Sequence, residues 1–127
     1  MTAKYDLIIN AGETLDAEVM RFTYKVAGSP VDLTGYSVKA QCKDGDTLRF
    51  EWSTANGRVQ IDAVNGALWP VVSATETATY GGDKDGVVVN GRKSRCMGDW
   101  DLELTSPAGK VTRLLQGSAY VVPEITK

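Results

Sequence analysis

The sequence predicts an all-β protein, a single antiparallel β-sandwich of Ig-like or jelly-roll-like type with about eight strands. Three observations lead to this prediction. Apolar and polar residues alternate with a period of two in four separate segments. Turn sequences rich in Gly, Asn, Asp and Pro separate the segments. Only one short segment carries helix signals. The 127 residues show no internal repeat and no linker, so we treat 1–127 as one domain.

Four segments alternate clearly enough to be predicted as half-buried strands. Polar residues fill the positions between the apolar ones, so one face of each strand is expected to be buried and the other solvated. Five shorter candidates fill the gaps, at 5–9, 58–62, 67–72, 111–115 and 118–122. The apolar positions of the four clear segments are Met20, Phe22, Tyr24 and Val26; Tyr36, Val38, Ala40 and Cys42; Leu48, Phe50 and Trp52; and Trp100, Leu102 and Leu104.

One segment, SATETATY at 73–80, is predicted to be helical. Ser73 is a favourable N-cap residue, and Glu76 follows it by three positions, which is the spacing of a capping box. The segment is long enough for about two turns. We therefore expect a connector between strands and not a layer of the fold.

The composition excludes several classes of function. The sequence contains no histidine, which rules out Ser-His-Asp and Cys-His catalysis and histidine-ligated zinc. Cys42 and Cys96 alone cannot close a structural zinc site, and we expect both to be free thiols. The net charge of −2 and a pI near 5.1 argue against nucleic-acid binding.

The chain is expected to fold in a cytoplasm and to have no membrane partner. No apolar run approaches the ~20 residues that span a bilayer. The first ten residues, MTAKYDLIIN, lack the apolar core and the small-residue cleavage site of a secretory signal.

The segment GGDKDGVVVNGRKSRC, at 81–96, is predicted to be a long loop or flap that contacts a partner. About sixteen residues between the helix and the Trp100 strand exceed the usual length of a structureless loop. Three consecutive valines flanked by glycines would form an association surface if exposed. We expect the loop to pack against a partner subunit and to order on assembly. The residues expected to make the contact are Asp83, Lys84, Asp85, Val87, Val88, Val89, Arg92, Lys93 and Arg95.

Two familiar binding motifs are only approximated in this segment. Gly86 and Gly91 have the spacing of a phosphate-binding loop, but Arg92 stands at the lysine position and no α/β pattern surrounds it. Asp83 and Asp85 have alternate spacing, yet the further oxygen ligands of a calcium loop are missing. We predict neither a cofactor site nor a metal site, and a solvated turn is the simpler interpretation of the acids.

Two groups of residues outside this segment are candidate functional sites, one acidic and one aromatic. Asp99, Asp101 and Glu103 share one face of a strand, which indicates a solvated sheet face more than a catalytic carboxylate pair. Trp52 and Trp100 fall on apolar phases and are assigned to the core. The possible exposed aromatics are Trp69, Tyr80 and Tyr120, which would support a carbohydrate-binding module.

Two stretches carry a resemblance to a known family. The first, INAGETLDAEVMRFTYKVAGSPVDLTGYSVKAQCKDG, contains PVDLTGY between two amphipathic strands. The second comprises SATETATY and WDLELTSPAGKVTRLLQGSAYVVPEIT. Together they resemble small β-sandwich structural proteins of tailed bacteriophages, including the amino-terminal domains of BppU-type baseplate and fibre-attachment proteins. The excursion at 81–96 departs from the short connection expected in that family.

The resemblance implies a structural role in a virion. We expect a non-enzymatic component, without cofactor or catalytic residues, that is made in the bacterial host cytoplasm. It would join tail, fibre or capsid subunits as a homo-oligomer in the particle, most simply as a tail or fibre-attachment adaptor. Capsid decoration and carbohydrate binding during host attachment remain the alternatives. The segment PEITK, at 123–127, is either an arm that adds to a neighbour's sheet or a frayed end.

Overall fold

The computed structural model describes residues 2–125, which form twelve strands and one short helix. The two longest strands are adjacent in the sequence, and seven of the strands contain only two to four residues. The helix lies between the ninth and tenth strands. The elements are β1 (Ala3–Lys4), β2 (Leu7–Asn10), β3 (Phe22–Thr23), β4 (Lys25–Val26), β5 (Ser29–Pro30), β6 (Ser37–Asp44), β7 (Thr47–Ser53), β8 (Val59–Asp62), β9 (Ala67–Pro70), α1 (Ala74–Thr77), β10 (Lys84–Val89), β11 (Arg92–Thr105) and β12 (Val111–Val122).

The strands form a large sheet and a small sheet. The large sheet has the order β1-β12-β11-β6-β7, with β2 also on β12 and β10 also on β11. The small sheet has the order β3-β9-β8, and β4 and β5 form a separate hairpin. Most pairs are antiparallel, as predicted, but β1 and β2 both run parallel to β12. The prediction of a purely antiparallel sandwich is corrected at this edge.

The core lies between the two sheets and is filled by alternate residues of the long strands. The predicted alternation is confirmed in β6, β7 and β11, where the inward positions are nearly inaccessible and the intervening ones are polar. Leu48 is the exception, at 50% exposure near the open end of β7. The largest residues that are fully buried include Leu7, Ile9, Leu15, Leu33, Leu68, Met97 and Leu104.

The predicted strand over 20–26 is wrong as a continuous element. The chain pairs with β9 only at Phe22 and Thr23. It then leaves the sheet and turns back on itself, with positive φ angles at Ala27 and Gly28. Val26 therefore lies in the β4–β5 hairpin and is 56% exposed. Alternation alone could not show where the partner strand ends.

The candidate strands at 111–115 and 118–122 form one strand, β12. This strand pairs with β11 along its length. Gly117 lies between them because a side chain does not fit there. A Cβ at this position would lie 2.3 Å from the carbonyl oxygen of Tyr5. The residue thus marks a close approach of backbones and not a break in the strand.

The predicted helix is present but shorter than 73–80. Ser73 is its N-cap, and the Ser73 hydroxyl accepts a hydrogen bond from the backbone N–H of Glu76 at 3.1 Å. The Glu76 carboxylate bonds the guanidinium of Arg58 instead of completing the capping box. Among residues 2–125, no helix has the length and apolar character to cross a membrane.

Candidate partner-binding hairpin

The segment 81–96 is a β-hairpin and not a loop. β10 pairs with the first residues of β11, and Val89 lies opposite Arg92. Asn90 and Gly91 connect the strands with φ angles of 50° and 79°. Positive φ at both central residues is the geometry of a type I′ turn, for which Asn-Gly is the preferred dipeptide. This dipeptide was the signal that our sequence analysis overlooked.

A β-bulge at Gly86 and Val87 shapes the hairpin. The register shifts between Asp85 and Val88, so that two residues of β10 face Ser94 of β11. The buried Ser94 hydroxyl donates to the carbonyl oxygen of Val87 at 2.7 Å. This bond satisfies a carbonyl that the bulge removes from the regular ladder.

The ring of Tyr120 closes over the bulge from the neighbouring strand β12. A Cβ at Gly86 would lie 2.5 Å from the Ser94 Oγ and 2.6 Å from the Tyr120 Cδ1. Only glycine therefore allows this contact without displacement. The hairpin is packed onto the sheet at its middle and not only at its base.

Three of the six charged residues that we assigned to a partner pair with each other. Asp85 accepts from Arg95 at 2.7 Å and from Lys93 at 3.3 Å. The Arg95 Nε also donates to the carbonyl oxygen of Gly82 at 3.1 Å. These contacts hold the two strands together at the base of the hairpin, so the residues have a structural use within the chain.

Asp83 is bound to the strand β7 through a shared arginine. Arg49 donates to Asp83 at 3.0 Å and to Asp44 at 3.1 Å. Within the part of the chain that the structure describes, no group of three or more Cys, Asp or Glu residues is arranged to hold a metal ion. Asp83 therefore pairs with Arg49, whereas Asp85 pairs with Lys93 and Arg95.

The valines form the exposed part of the hairpin. Val87 and Val88 are 45% and 65% exposed, whereas Val89 is half-buried. Two neighbouring valines both face solvent because the bulge interrupts the alternation of sides. Along residues 2–125, β10 pairs with β11 alone, so its second backbone edge is open beside these valines.

The tip of the hairpin contacts the segment that follows β12. Arg92 is partly buried and donates to the carbonyl oxygen of Pro123 at 2.7 Å. The predicted arm therefore starts at the hairpin, with Glu124 and Ile125 exposed beyond this contact. The last two residues of the arm, 126 and 127, lie outside the described residues.

The three aromatics expected to be exposed are all half-buried, which corrects that expectation. Trp69 lies beneath the Arg21 guanidinium, 5.0 Å from the ring centroid. Tyr120 covers the bulge at Gly86. Among the aromatic residues of the described chain, Tyr5 alone is classed as exposed, at 40%.

Tyr80 belongs to a hydrogen-bonded chain at the edge of the core. Its hydroxyl accepts from the Trp52 indole at 2.9 Å and donates to Glu76 at 2.8 Å. Burial raises the pKa of Tyr80, and the hydrogen bond to Glu76 adds to the increase. The Arg58 guanidinium lowers the pKa of Glu76. Tyr80 is therefore a neutral donor in a structural network.

The acids of β11 lie on the outer face of the large sheet, as predicted. Asp101 accepts from Arg113 at 3.2 Å, while Asp99 is opposite Lys43 on one side and Ser118 on the other. They border an open depression of about 540 Å³, which the sequence did not predict. Its polar lining comes from four different strands.

Both cysteines are free thiols in the structure, as expected. Cys42 is fully buried on β6, and burial raises its pKa from 9.0 to about 12. A thiol with such a pKa is protonated at neutral pH and is a poor nucleophile. Cys96 is only partly buried, on the outer part of the hairpin strand β11.

Comparisons with known proteins find no family for this chain and only distant structural similarity. No family model matches the chain, and no curated protein matches it significantly. One similar solved structure is the first Ig-like domain of human CD48 antigen, with 14% identity, a TM-score of 0.38, and coverage of 99% of this chain and 88% of that one. Another is Drosophila OTK, extracellular domains 3–5, with 14% identity, a TM-score of 0.32, and coverage of 91% and 32%. The two packed sheets themselves define the class, an all-β sandwich.

Proposed function

We propose that this chain is a non-enzymatic structural component of a tailed-phage virion, a tail or fibre-attachment adaptor that joins virion parts by surface contacts. The observation that carries the proposal is the exposed hairpin β10–β11. Its partners would be other virion proteins, and the sequence resemblance to phage β-sandwich proteins supports that choice. The protein would fold in the bacterial host cytoplasm and function in the particle.

The hairpin combines exposure with rigidity, which favours a docking role. Val87 and Val88 lie beside an open strand edge, where a partner strand can add its own hydrogen bonds. The bulge, the Tyr120 ring and the ion pairs of Asp85 hold the edge in place. A preorganised edge loses little conformational entropy on binding. The segment that we expect to order on assembly is a β-hairpin in the structure.

The absence of a catalytic set in the sequence supports the non-enzymatic part of the proposal. The sequence has no histidine. The two groups with large increases in pKa, Cys42 and Tyr80, are held neutral in or beside the core. Cys42 is enclosed in the core, and the Tyr80 hydroxyl is held as a neutral donor between Trp52 and Glu76, so neither group is presented as a nucleophile.

The test is the copy number of this protein in purified phage particles, measured by quantitative mass spectrometry against the major capsid protein. A tail adaptor is expected at a handful to a few tens of copies. A ratio near one, or near a simple fraction such as one-third, would assign it to capsid decoration. Complete absence from the particle would refute the structural role.

A pair of variants tests whether the hairpin makes the contact. Val88→Ser keeps the strand but removes exposed apolar surface, and we expect it to reduce the copies per particle. Val64→Ser is the matched control, because Val64 is 76% exposed in a loop outside the hairpin. Equal incorporation of both variants would exclude the hairpin as the contact.

Carbohydrate recognition is the second candidate function, and the polar depression on the outer sheet face now supports it in place of the aromatics. Asp99, Lys43 and Gln116 line the depression and make no side-chain hydrogen bonds within the described residues. Such free donors and acceptors suit sugar hydroxyls. A glycan-array screen should detect binding that Asp99→Asn and Gln116→Ala weaken. No binding at high protein concentration would remove this candidate.

A further inference from the structure

An apolar groove opens between the two sheets, away from the hairpin. Its volume is about 430 Å³. The floor consists of Leu68 and Leu102, both of which belong to the buried core, and the walls are formed by Phe22, Leu114 and Leu115. Apolar side chains this close to the core are usually covered in a monomer, so the groove is a candidate contact surface.

The groove is open because the strands on both sides of it are incomplete. β3 contains only two residues and pairs only with β9 among the described strands. On the facing sheet, β1 pairs with β12 at Leu115 and Gln116. The backbone of β12 from Val111 to Leu114 therefore has no neighbouring strand on that side within residues 2–125. The Arg113 carbonyl oxygen accepts from the Thr2 hydroxyl at 3.0 Å. An extended segment that displaced Thr2 would find hydrogen-bonding groups and an apolar slot there.

We propose that this groove binds the segment Pro123–Ile125 of a second copy of the chain. Ile125 is 75% exposed, and its side chain is apolar and matches the leucine-lined slot. Glu124 precedes it by one position and forms no ion pair among the described residues, and its carboxylate lies against Gly12. The rim of the groove carries Lys25, which forms no ion pair among the described residues, and Arg21, which pairs with Asp62 at 3.6 Å and lies over Trp69. Glu124 can thus face the basic rim of the groove while Ile125 enters its apolar floor.

The geometry makes this contact intermolecular. The groove lies beside Leu114 near the start of β12, whereas the arm leaves the end of the same strand at Val122. Eight strand residues separate these positions, which corresponds to about 26 Å. Three residues cannot return over that distance. The arm of one copy must enter the groove of the next, and such head-to-tail contacts build a ring or a filament.

This inference goes beyond the proposed function, since it concerns a different surface and a different partner. The hairpin would contact other virion proteins, and the groove would contact a second copy. Val88→Ser should therefore leave self-association unchanged. If the chain does not self-associate but is incorporated into particles through the hairpin, only the groove proposal fails. If it self-associates but is not incorporated, only the proposed function fails.

Sedimentation equilibrium of the full chain over a wide concentration range tests the inference. The wild-type chain is expected to associate, and Ile125→Ser should weaken the association constant at least about tenfold, because an exposed isoleucine no longer becomes buried. Val64→Ser is the control of the same chemistry and should have no effect. A chain that stays monomeric at every concentration, or that associates equally with Ile125→Ser, would overturn the proposal.

Two further measurements identify the groove as the receiving surface. Glu124→Lys should weaken association, and combining it with Lys25→Glu should restore it, since the charges are exchanged and not removed. Mixing Ile125→Ser chains with Leu114→Lys chains should yield only 1:1 pairs, because each chain keeps one working end. Failure of the charge exchange to restore association, or larger assemblies in the mixture, would overturn the head-to-tail arrangement. Circular dichroism establishes that each variant is folded.

Discussion

The Tyr80 hydroxyl shows how a single polar atom can hold the edge of the core. It accepts a hydrogen bond from the indole N–H of Trp52, which is only 2% exposed, and donates one to the Glu76 carboxylate. Glu76 is in turn fixed by Arg58. Four side chains from separate parts of the chain thus satisfy one another where α1 meets the sheet.

Replacing Tyr80 by phenylalanine should lower the free energy of unfolding by about 1–3 kcal/mol, because the buried Trp52 N–H loses its acceptor. Urea denaturation measures the change. Tyr36→Phe is the matched control, since Tyr36 is also half-buried but its hydroxyl makes no hydrogen bond within the described residues. We expect that control to change the stability by less than about 0.5 kcal/mol. Equal losses would show that the network does not contribute.

Cys42 should be inert to alkylation in the folded protein at pH 8. Its side chain is inaccessible, and its pKa is raised to about 12 by burial. Cys96 is partly exposed and should react first. Intact-mass analysis after treatment with iodoacetamide is expected to show one label, and none in Cys96→Ser. A second label without denaturant would contradict the placement of Cys42.

Residue positions were predictable from the sequence where a single face decides burial. Trp52 and Trp100 were assigned to the core because their strands alternate, and both are buried. Tyr80 was expected to be exposed because no periodicity covers it. Its burial depends on Trp52 and Phe50, which lie on the distant strand β7. Hydrogen bonds between distant residues leave no local pattern that a sequence can show.

At the scale of elements, the hairpin depends on a glycine that no turn requires. Gly86→Ala places a Cβ within 2.6 Å of both Ser94 Oγ and a Tyr120 ring carbon. We expect the strand β10 to shift or detach, with faster hydrogen exchange over 84–96. Gly81→Ala is the control, because no atom lies within 4 Å of the Cβ it would add. Unchanged exchange in Gly86→Ala would contradict the packing described above.

The elements themselves were predicted unevenly. β6, β7 and the second half of β11 followed from alternation, because one face of each is buried. Alternation fails where the ladder is irregular, as at the register shifts between Cys96 and Gly98 and between Asp85 and Val88. These shifts concealed β10 and the first half of β11. The Asn90–Gly91 dipeptide was the available signal for that hairpin.

For the whole molecule, we expect a broad plateau in stability between about pH 6 and 8. The sequence has no histidine, which is the side chain that ordinarily titrates in that range. The bond from Arg58 lowers the pKa of Glu76 below 4.5. Its contribution is present above pH 4.5 and is lost as the pH falls through the folded pKa.

At alkaline pH, folding stability is lost as the pH rises. The Cys42 thiol ionises near 9.0 in the unfolded chain but near 12 in the folded one. Its contribution is complete below pH 9 and is lost as the pH rises toward 12, at up to about 1.4 kcal/mol per pH unit. Urea titrations across the pH range measure both limits. Glu76→Gln should reduce the acid slope, whereas a slope between pH 6 and 8 would be inconsistent with this account.

The parallel pairing of β1 and β2 with β12 has a consequence for synthesis on the ribosome. Ala3 pairs with Leu115, and Leu7 pairs with Ala119. The first strands leave the exit tunnel long before their partner has been translated, so they cannot take their places until nearly all the described residues have emerged. Contacts with such large sequence separation slow folding. Until then Leu7 and Ile9, which are fully buried in the folded chain, are open to chaperones and to neighbouring nascent chains.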